Sequence, residues 1–272
     1  MKTNLKTNLK AILARSYVRF WAANREPSWI ISETIMPLLS TAAYVFMYKT
    51  LKAPEEYIGF VILGGTMSAY WMNVLWSMAA QLYWEKECGN LELFMIAPIS
   101  RMSILLGMAS GGFVHASIRA VVIFLMGSLL FKVSFVMISF TKLILVFILT
   151  LVALYGLGMV FSSLFMLYGR EAWHGVNLLQ EPIYLLSGFY FPVKSLGFIT
   201  ALTASLIPLT LGLDAMRQLA FVAGKKYGFI DVNLELGILV LLCVVFLVGA
   251  SYALKYMENL GKKEGRLTLR WQ

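Results

Sequence analysis

The sequence predicts an all-α integral membrane protein with six transmembrane helices. We also expect an N-terminal interfacial helix, a cytoplasmic amphipathic helix between spans 2 and 3, and short re-entrant helices between spans 5 and 6. Hydrophobic residues make up 60% of the 272 residues and charged residues only 14%, whereas roughly a quarter of a soluble domain is charged. Several apolar runs reach the roughly 20 residues that a bilayer-spanning helix needs. Basic residues gather at both ends of the chain, as is typical of cytoplasmic ends.

The N-terminal segment, residues 1–25, has the pattern of a helix that lies on the membrane surface. Its apolar residues recur at helical spacing, at Leu5, Leu9, Ile12, Leu13, Phe20 and Trp21. Lysines and arginines flank this stripe, so their charges can reach lipid phosphates while the apolar side enters the interface. We expect this helix to lead into span 1.

Six apolar runs are long enough to cross the bilayer, and they lie near 28–48, 57–80, 103–131, 140–168, 172–191 and 235–256. A further run near 195–213 is interrupted by Pro208, Gly212 and threonines. These interruptions would leave backbone groups unpaired in lipid. We therefore predict an extracellular re-entrant region at 195–230.

Charge at the two ends of the chain predicts the orientation. Basic residues occur near the N-terminus at Lys2, Lys6, Lys10, Arg15, Arg19 and Arg25, and near the C-terminus at Lys255, Lys262, Lys263, Arg266 and Arg270. Cytoplasmic segments carry the excess of such residues, so both ends are predicted to be cytoplasmic and the number of spans to be even. The polar interruption at 81–98, between spans 2 and 3, then also lies on the cytoplasmic side. Its charges stand beside an apolar run that ends at Pro98, which predicts a short amphipathic helix.

Charged residues inside predicted spans are rare and are functional candidates by default. Glu33, Arg119 and Glu181 are such residues, and His115 lies one helical turn from Arg119. We expect Glu33 to be the carboxylate that meets Arg119 and His115. Two interpretations remain open: a polar substrate path that takes part in transport, or an ion pair that only fixes helix packing.

The sequence Glu181-Pro182 interrupts span 5, because proline removes a backbone donor and kinks a helix. Four aromatic residues follow at Tyr184, Phe189, Tyr190 and Phe191. Aromatic residues at such a position form an interfacial belt in many membrane proteins. The alternative is that they line the exit route of an amphipathic substrate.

Several kinds of site are not indicated. No G-x-x-x-x-G-K-[ST] phosphate loop occurs, and Ser103, Gly107 and Gly111 have the four-residue spacing of a close helix contact. The two histidines, His115 and His174, fall in different segments and match no metal motif. The basic residues do not form one face with interleaved aromatics, so we expect no nucleic-acid partner.

Three motifs carry a resemblance to a known family. The segment Glu85-Lys86-Glu87-Cys88-Gly89-Asn90-Leu91-Glu92-Leu93, followed by Ala97-Pro98-Ile99-Ser100-Arg101, resembles the E-[RK]-E-x-G-[TN]-L-E-x…P-[IVL]-[ST] signature of type 2 ABC-transporter permeases. Leu186 to Pro192 resembles the LSGxxFP element of the same family, and Ile207-Pro208-Leu209-Thr210…Arg217 resembles a third element. The family often has Thr at the position of Asn90 and Asn at that of Ile207. The resemblance covers nearly the whole chain.

The resemblance implies a non-enzymatic permease subunit of an ATP-driven exporter in the plasma (inner) membrane, with an amphipathic or lipid-linked substrate. It implies a homodimer with a second permease subunit and two copies of a separate ABC ATPase, which binds the ATP and Mg²⁺, so that this chain itself needs no cofactor. The ATPase would dock on the helix at 81–98, which the family uses as a coupling helix. The residues implied are Glu85, Glu87, Gly89, Leu91, Glu92, Leu93 and Phe94.

Other classes of protein stay as alternatives. A membrane-embedded enzyme or a secondary transporter would use Glu33, His115 and Arg119. The enzyme would need a nucleophile and a base, and no clear pair is present. A secondary transporter is expected to have interrupted helices in both halves, whereas the interruptions here lie in the second half. A structural membrane anchor would leave the cytoplasmic helix unexplained.

Overall fold

The computed structural model describes residues 4–265 except residues 24, 26, 169 and 170. Every regular element within these residues is helical, which confirms the all-α fold class. Lys2, Arg266 and Arg270, which belong to the basic clusters at the two ends, lie outside the described residues. The α-helices are α1 (Leu5–Ala23), α2 (Pro27–Thr50), α3 (Glu56–Met72), α4 (Gln81–Glu87), α5 (Asn90–Ile96), α6 (Arg101–Phe131), α7 (Phe140–Tyr168), α8 (Glu171–Leu186), α9 (Phe198–Ala204), α10 (Pro208–Ala220), α11 (Gly224–Tyr227) and α12 (Val232–Glu264).

Five helical stretches are long and apolar enough to cross a membrane, and they correspond to predicted spans 1–4 and 6. They are Ile30–Thr50, Glu56–Glu87, Arg101–Phe131, Phe140–Tyr168 and Val232–Glu264. The second stretch joins α3 to α4 through a π-helical turn, Asn73–Met78. The most extensive helix–helix interface is that between α7 and α12, and the hydrophobic core lies around α3, α6, α7 and α10.

The predicted fifth span is represented by α8, which has 16 residues and ends at Leu186 rather than at residue 191. At 1.5 Å per residue this helix is about 24 Å long, somewhat less than the roughly 30 Å of the hydrocarbon core. It ends there because Ser187 and Gly188 turn the chain, with Gly188 at a φ of +68° that favours glycine. The count of six spans therefore stays a prediction.

The run predicted to be re-entrant forms two helices that meet at a sharp bend. The axes of α9 and α10 differ by 112°, and Pro208 begins α10. Proline fits the first turn of a helix because its missing N–H has no partner there. Such a bend occurs both in broken spans and in re-entrant loops, so the re-entrant interpretation remains a prediction.

Residues 81–98 form two short helices instead of the single predicted helix. The break lies at Cys88 and Gly89, where Gly89 adopts a φ of +75°. This left-handed conformation is easy for glycine and ends a helix. The first helix, α4, continues the second membrane-spanning stretch, and the second helix, α5, turns away from it.

Helix α1, which we predicted to be interfacial, lies along α6 on the small-residue stripe that the sequence indicated. A Cβ atom added at Gly107 would lie 2.9 Å from the carbonyl oxygen of Ile12, and one added at Gly111 would lie 2.8 Å from that of Ser16. These separations confirm that the two glycines permit close helix approach. The most exposed apolar residues of α1 form a separate stripe of Leu5, Leu9, Leu13, Tyr17 and Trp21. Ile12 and Phe20, which we expected on the same side, are only partly exposed.

Candidate functional site

A cleft of about 440 Å³ collects most of the charged and aromatic residues that the sequence analysis identified within the membrane. We call it the tyrosine cleft. Helices α2, α3, α6 and α8 and the turn after α8 contribute to it, and five predicted site residues meet there. Its lining residues are Ser32, Glu33, Met36, Pro37, Ser40, Tyr44, Ser68, Met72, Arg119, Gln180, Glu181, Tyr184 and Tyr190.

An ion pair between Arg119 and Glu33 forms one wall of the cleft, which confirms the predicted pairing. Arg119 Nη1 donates to Glu33 Oε2. The two side chains differ in exposure, since that of Arg119 is 2% exposed and that of Glu33 is 30% exposed. A buried guanidinium needs such a partner, because an uncompensated charge in a low-dielectric interior is strongly unfavourable.

His115 lies outside the cleft, although it is one helical turn from Arg119. It is buried, and its Nε2 atom has no hydrogen-bond partner within the described residues. We expected the Glu33 carboxylate to meet both Arg119 and His115. It pairs with Arg119 and forms no hydrogen bond with His115 Nε2.

Three tyrosine rings with similar orientation form the aromatic part of the cleft. The Tyr44 and Tyr190 ring centroids are 3.8 Å apart with their planes inclined by 12°, and those of Tyr184 and Tyr190 are 6.3 Å apart at 7°. Tyr48 Oη donates to the carbonyl oxygen of Tyr190 at 3.1 Å. The sequence analysis missed Tyr44. Its spacing from Glu33, at positions that share one face of α2, was the available signal.

Glu181 is exposed to the cleft and has no ion pair within the part of the chain that the structure describes. Its Oε1 atom accepts a hydrogen bond from Gln180 Nε2 at 3.4 Å. Gln180 Oε1 in turn accepts a hydrogen bond from Trp76 Nε1 at 2.7 Å. The cleft thus contains one compensated carboxylate, at Glu33, and one uncompensated carboxylate, at Glu181.

The other two predicted exit-path aromatics do not line the cleft. Phe189 is fully buried, with its ring 4.6 Å from that of Tyr184, and Phe191 is partly buried beyond the turn. Gly64 of α3 lies so close to the Phe189 carbonyl group that a side chain there would overlap it. The turn after α8 therefore directs Tyr190 into the cleft and Phe189 into the protein core.

Arg217 fixes this turn, a role that the sequence motif containing it did not reveal. The residue belongs to α10 and is 3% exposed. Its guanidinium donates to the carbonyl oxygens of Phe189 at 2.9 Å, Phe191 at 3.0 Å and Phe60 at 3.1 Å. One side chain thereby connects α10, α3 and the chain segment that carries Tyr190.

The second candidate region is the segment 81–98, which we call the coupling segment. Glu85 is buried and forms an ion pair with Arg15 of α1. Its carboxylate also accepts hydrogen bonds from Gln81 Nε2 at 2.8 Å and Asn90 Nδ2 at 2.9 Å. Burial lowers the pKa of Arg15, and it lowers that of Arg19 to about 10, still far above neutrality. Both guanidinium groups therefore remain charged.

The predicted docking residues fall into two groups. Glu85 and Leu91 face the interior, because Glu85 is held by Arg15 and Leu91 is 2% exposed within the hydrophobic core. Phe94 is partly buried beneath the Arg15 guanidinium, 5.3 Å from the ring centroid, and Gly89 forms the turn. The group at the surface consists of Glu87, Glu92 and Leu93.

A second set of ion pairs holds the far end of the coupling segment. Arg101 Nη2 lies 3.2 Å from Glu258 Oε1 of α12, and Lys262 Nζ lies 2.6 Å from the same oxygen. Arg101 Nη2 also donates to the carbonyl oxygen of Met95 at 3.3 Å. The segment is therefore connected to α1 near its start and to α12 near its end.

Comparisons with known proteins agree with the motifs. Residues 7–221, from α1 to the end of α10, match the ABC-2 type transporter family. The chain is also similar to the inner membrane transport permease YadH of Escherichia coli strain K12, with 23% identity over 251 residues that cover 88% of this chain and 91% of the relative. The YadH proteins of E. coli O157:H7 and Shigella flexneri show the same identity and coverage. The family match extends over well more than half of the chain and includes the tyrosine cleft and the coupling segment. The chain therefore belongs to the ABC-2 type transporter family.

Proposed function

We propose that this chain is the membrane-spanning permease subunit of an ATP-driven exporter. A separate ABC ATPase binds the coupling segment, and two copies of each subunit form the transporter. The family supports an ATPase partner, and the sequence has no phosphate loop of its own. The YadH relatives, which are inner membrane transport permeases, support the same membrane for this chain. The basic residues at both ends of the sequence favour cytoplasmic termini.

The observation that carries this proposal is the way in which the coupling segment is exposed and held. Glu87, Glu92 and Leu93 face outward, so they can meet basic and apolar groups of a partner. The segment is held near its start by the ion pair of the buried Glu85 with Arg15, and just beyond its end by the Arg101–Glu258 ion pair. A force applied at the surface would therefore be passed to α1 and α12 rather than absorbed by a loose loop.

A direct helical connection links the coupling segment to the tyrosine cleft. The stretch Glu56–Glu87 joins α3 to α4 through the π-helical turn Asn73–Met78, and it contains the cleft residues Ser68 and Met72. Because α4 is joined directly to the helix that carries these residues, movement of α4 would change the cleft wall. We propose that closure of the ATPase pair moves the coupling segments and alternately exposes the cleft to the two sides of the membrane.

The cleft also fits a homodimer of permease subunits. Only 11% of the α2 span is buried within one chain, whereas 78% of the span containing α3 is buried. Since α2 contributes Glu33 and Tyr44 to the cleft, a second copy packed near α2 would enclose it. An amphipathic substrate would then meet both the ion pair and the tyrosine rings.

A charge-reversal experiment tests the docking role. The permease is co-expressed with its ATPase, and the variant Glu87→Lys/Glu92→Lys is compared with Glu55→Lys, which alters an exposed carboxylate at the start of α3. Repulsion from basic groups of the ATPase should reduce co-purification of the ATPase by about tenfold or more, equivalent to roughly 1.4 kcal/mol. The Glu55→Lys variant should retain the ATPase. Equal recovery of the ATPase with both variants would refute docking at this segment.

A further inference from the structure

The charges that line the tyrosine cleft do not balance. Glu33 is compensated by Arg119, but Glu181 has no cationic partner within the described residues. Among the residues that line the cleft, two carboxylates and one guanidinium leave one net negative charge; the Arg19 guanidinium, which interacts electrostatically with Glu33 and Arg119, lies outside that lining. An ionisable group at membrane depth is unfavourable unless it is paired or functional. The unpaired carboxylate of Glu181 therefore favours the binding of a cation in the cleft.

The aromatic side of the cleft favours the same kind of ligand. The rings of Tyr44, Tyr184 and Tyr190 are nearly parallel, and all three line the cleft. The face of an aromatic ring is electronegative and attracts cations within about 6 Å, more strongly where water is excluded. Because Tyr44 and Tyr190 stack on each other with centroids 3.8 Å apart, a ligand can meet only their outer faces and edges and the ring of Tyr184. The same faces also provide apolar area for hydrocarbon or aromatic groups.

The volume of the cleft in one chain suits a small molecule. Its volume of about 440 Å³ lies within the range of roughly 300–1,000 Å³ found for sites that bind drug-sized ligands. Met36 and Met72 complete the lining, and methionine side chains adapt to ligands of different shape. These features favour one compact amphipathic molecule over a polymer chain.

We propose that the tyrosine cleft binds an amphipathic organic cation, with its positive charge next to Glu181 and its apolar groups against the tyrosine rings. This inference rests on the proposed function, because it treats the cleft as the substrate site. An anion would be repelled by the uncompensated Glu181. A neutral ligand would leave that carboxylate without a counter-charge.

Two probes of the same shape and opposite charge test the proposal. Tetraphenylphosphonium is the cation and tetraphenylborate the anion, and each is titrated against the full-length permease in lipid nanodiscs, with binding to empty nanodiscs subtracted. We expect saturable binding of tetraphenylphosphonium that Glu181→Gln weakens about tenfold, equivalent to roughly 1.4 kcal/mol. The matched variant Glu55→Gln should bind as the unmodified protein does. Tetraphenylborate should show no binding that depends on Glu181.

Variants of Tyr190 test the aromatic contribution. Tyr190→Phe keeps the ring and should retain affinity, whereas Tyr190→Ala should weaken tetraphenylphosphonium binding by roughly two- to tenfold. Slow labelling of the buried Cys243 thiol shows that each variant is folded. Unchanged affinity in folded Glu181→Gln, or equal Glu181-dependent binding of both probes, would overturn the proposal. These titrations contain no ATPase, so their failure is separate from a failure of the docking experiment.

Discussion

Removal of Glu33 and removal of Arg119 should have unequal effects on stability, although the two residues form one ion pair. Glu33→Gln leaves the Arg119 guanidinium, 2% exposed, without its carboxylate, whereas Arg119→Gln leaves a carboxylate that is 30% exposed to the cleft. Breaking a buried pair typically costs about 3–5 kcal/mol. We expect a loss of that size for Glu33→Gln. For Arg119→Gln we expect about 1–2 kcal/mol, because water in the cleft can solvate the remaining charge.

The native cysteines provide the assay. Cys243 is buried and Cys88 is exposed, so a Cys88→Ser background leaves one thiol that reacts with a maleimide dye only when the protein unfolds. Denaturant titration of Cys243 labelling gives the free energy of unfolding of each variant. The double variant Glu33→Gln/Arg119→Gln should be more stable than Glu33→Gln alone, since no buried charge remains, and the cycle should give a coupling energy of about 2–3 kcal/mol, larger than the loss in Arg119→Gln.

Equal losses in the two single variants would refute this account of unequal burial, and a coupling energy near zero would refute the ion pair. The same proteins also separate the two interpretations of the pair. If it only fixes packing, the double variant should bind tetraphenylphosphonium and couple to its ATPase as the unmodified chain does. Loss of transport in stable, assembled Arg119→Gln would instead place the pair in the transport path.

Two further predictions concern contacts that hold the cleft and the coupling segment. Arg15→Glu should destabilise the chain by about 3 kcal/mol, because Glu85 is buried and would lose its cationic partner. In the Cys243 assay, the exchange Arg15→Glu/Glu85→Arg should recover at least half of this loss of stability. An exchange variant no more stable than Arg15→Glu would contradict the pairing. Gly64→Ala should lower the free energy of unfolding by about 1–3 kcal/mol, because the new methyl group overlaps the Phe189 carbonyl group. The control Gly237→Ala, at a helical position with open space, should be neutral or stabilise the chain by up to about 1 kcal/mol. Similar effects of the two alanines would rule out the close contact.

The sequence could predict those parts of the structure that depend on a local residue pattern or on a residue type that is rare in its surroundings, such as a charged residue inside a span. Apolar run length identified the five long spans, and four-residue spacing indicated a close helix contact at Gly107 and Gly111, although only the structure shows that α1 is the partner. The pairing of Glu33 with Arg119 was predictable because so few charged residues occur inside the spans that the choice of partner was small.

Other site residues depend on contacts between distant segments, and sequence pattern does not contain this information. Tyr44 resembles any tyrosine in an apolar helix until Tyr190 is placed against its ring. Glu85 has the pattern of an exposed acidic residue in a short amphipathic helix, but Arg15, seventy residues earlier in the chain, holds it inside. The role of Arg217 depends on three backbone carbonyl groups, which any residue type could provide.

The π-helical turn Asn73–Met78 determines how movement can pass between the coupling segment and the tyrosine cleft. Asn73 lies directly after the cleft residue Met72, and its Oδ1 atom accepts a hydrogen bond from Tyr155 Oη of α7 at 3.0 Å. A Cβ atom added at Gly112 of α6 would lie 2.6 Å from the same oxygen, so α6 also packs closely there. The helical stretch from α3 to α4 is thus fixed to α6 and α7 between its two functional ends. Because a π-helical turn is a local irregularity in an α-helix, we infer that in the proposed transport cycle α4 tilts about this fixed point. A displacement of α4 would then rotate the cleft wall at Ser68 and Met72 relative to Glu33 and Glu181, instead of sliding the whole helix through the membrane.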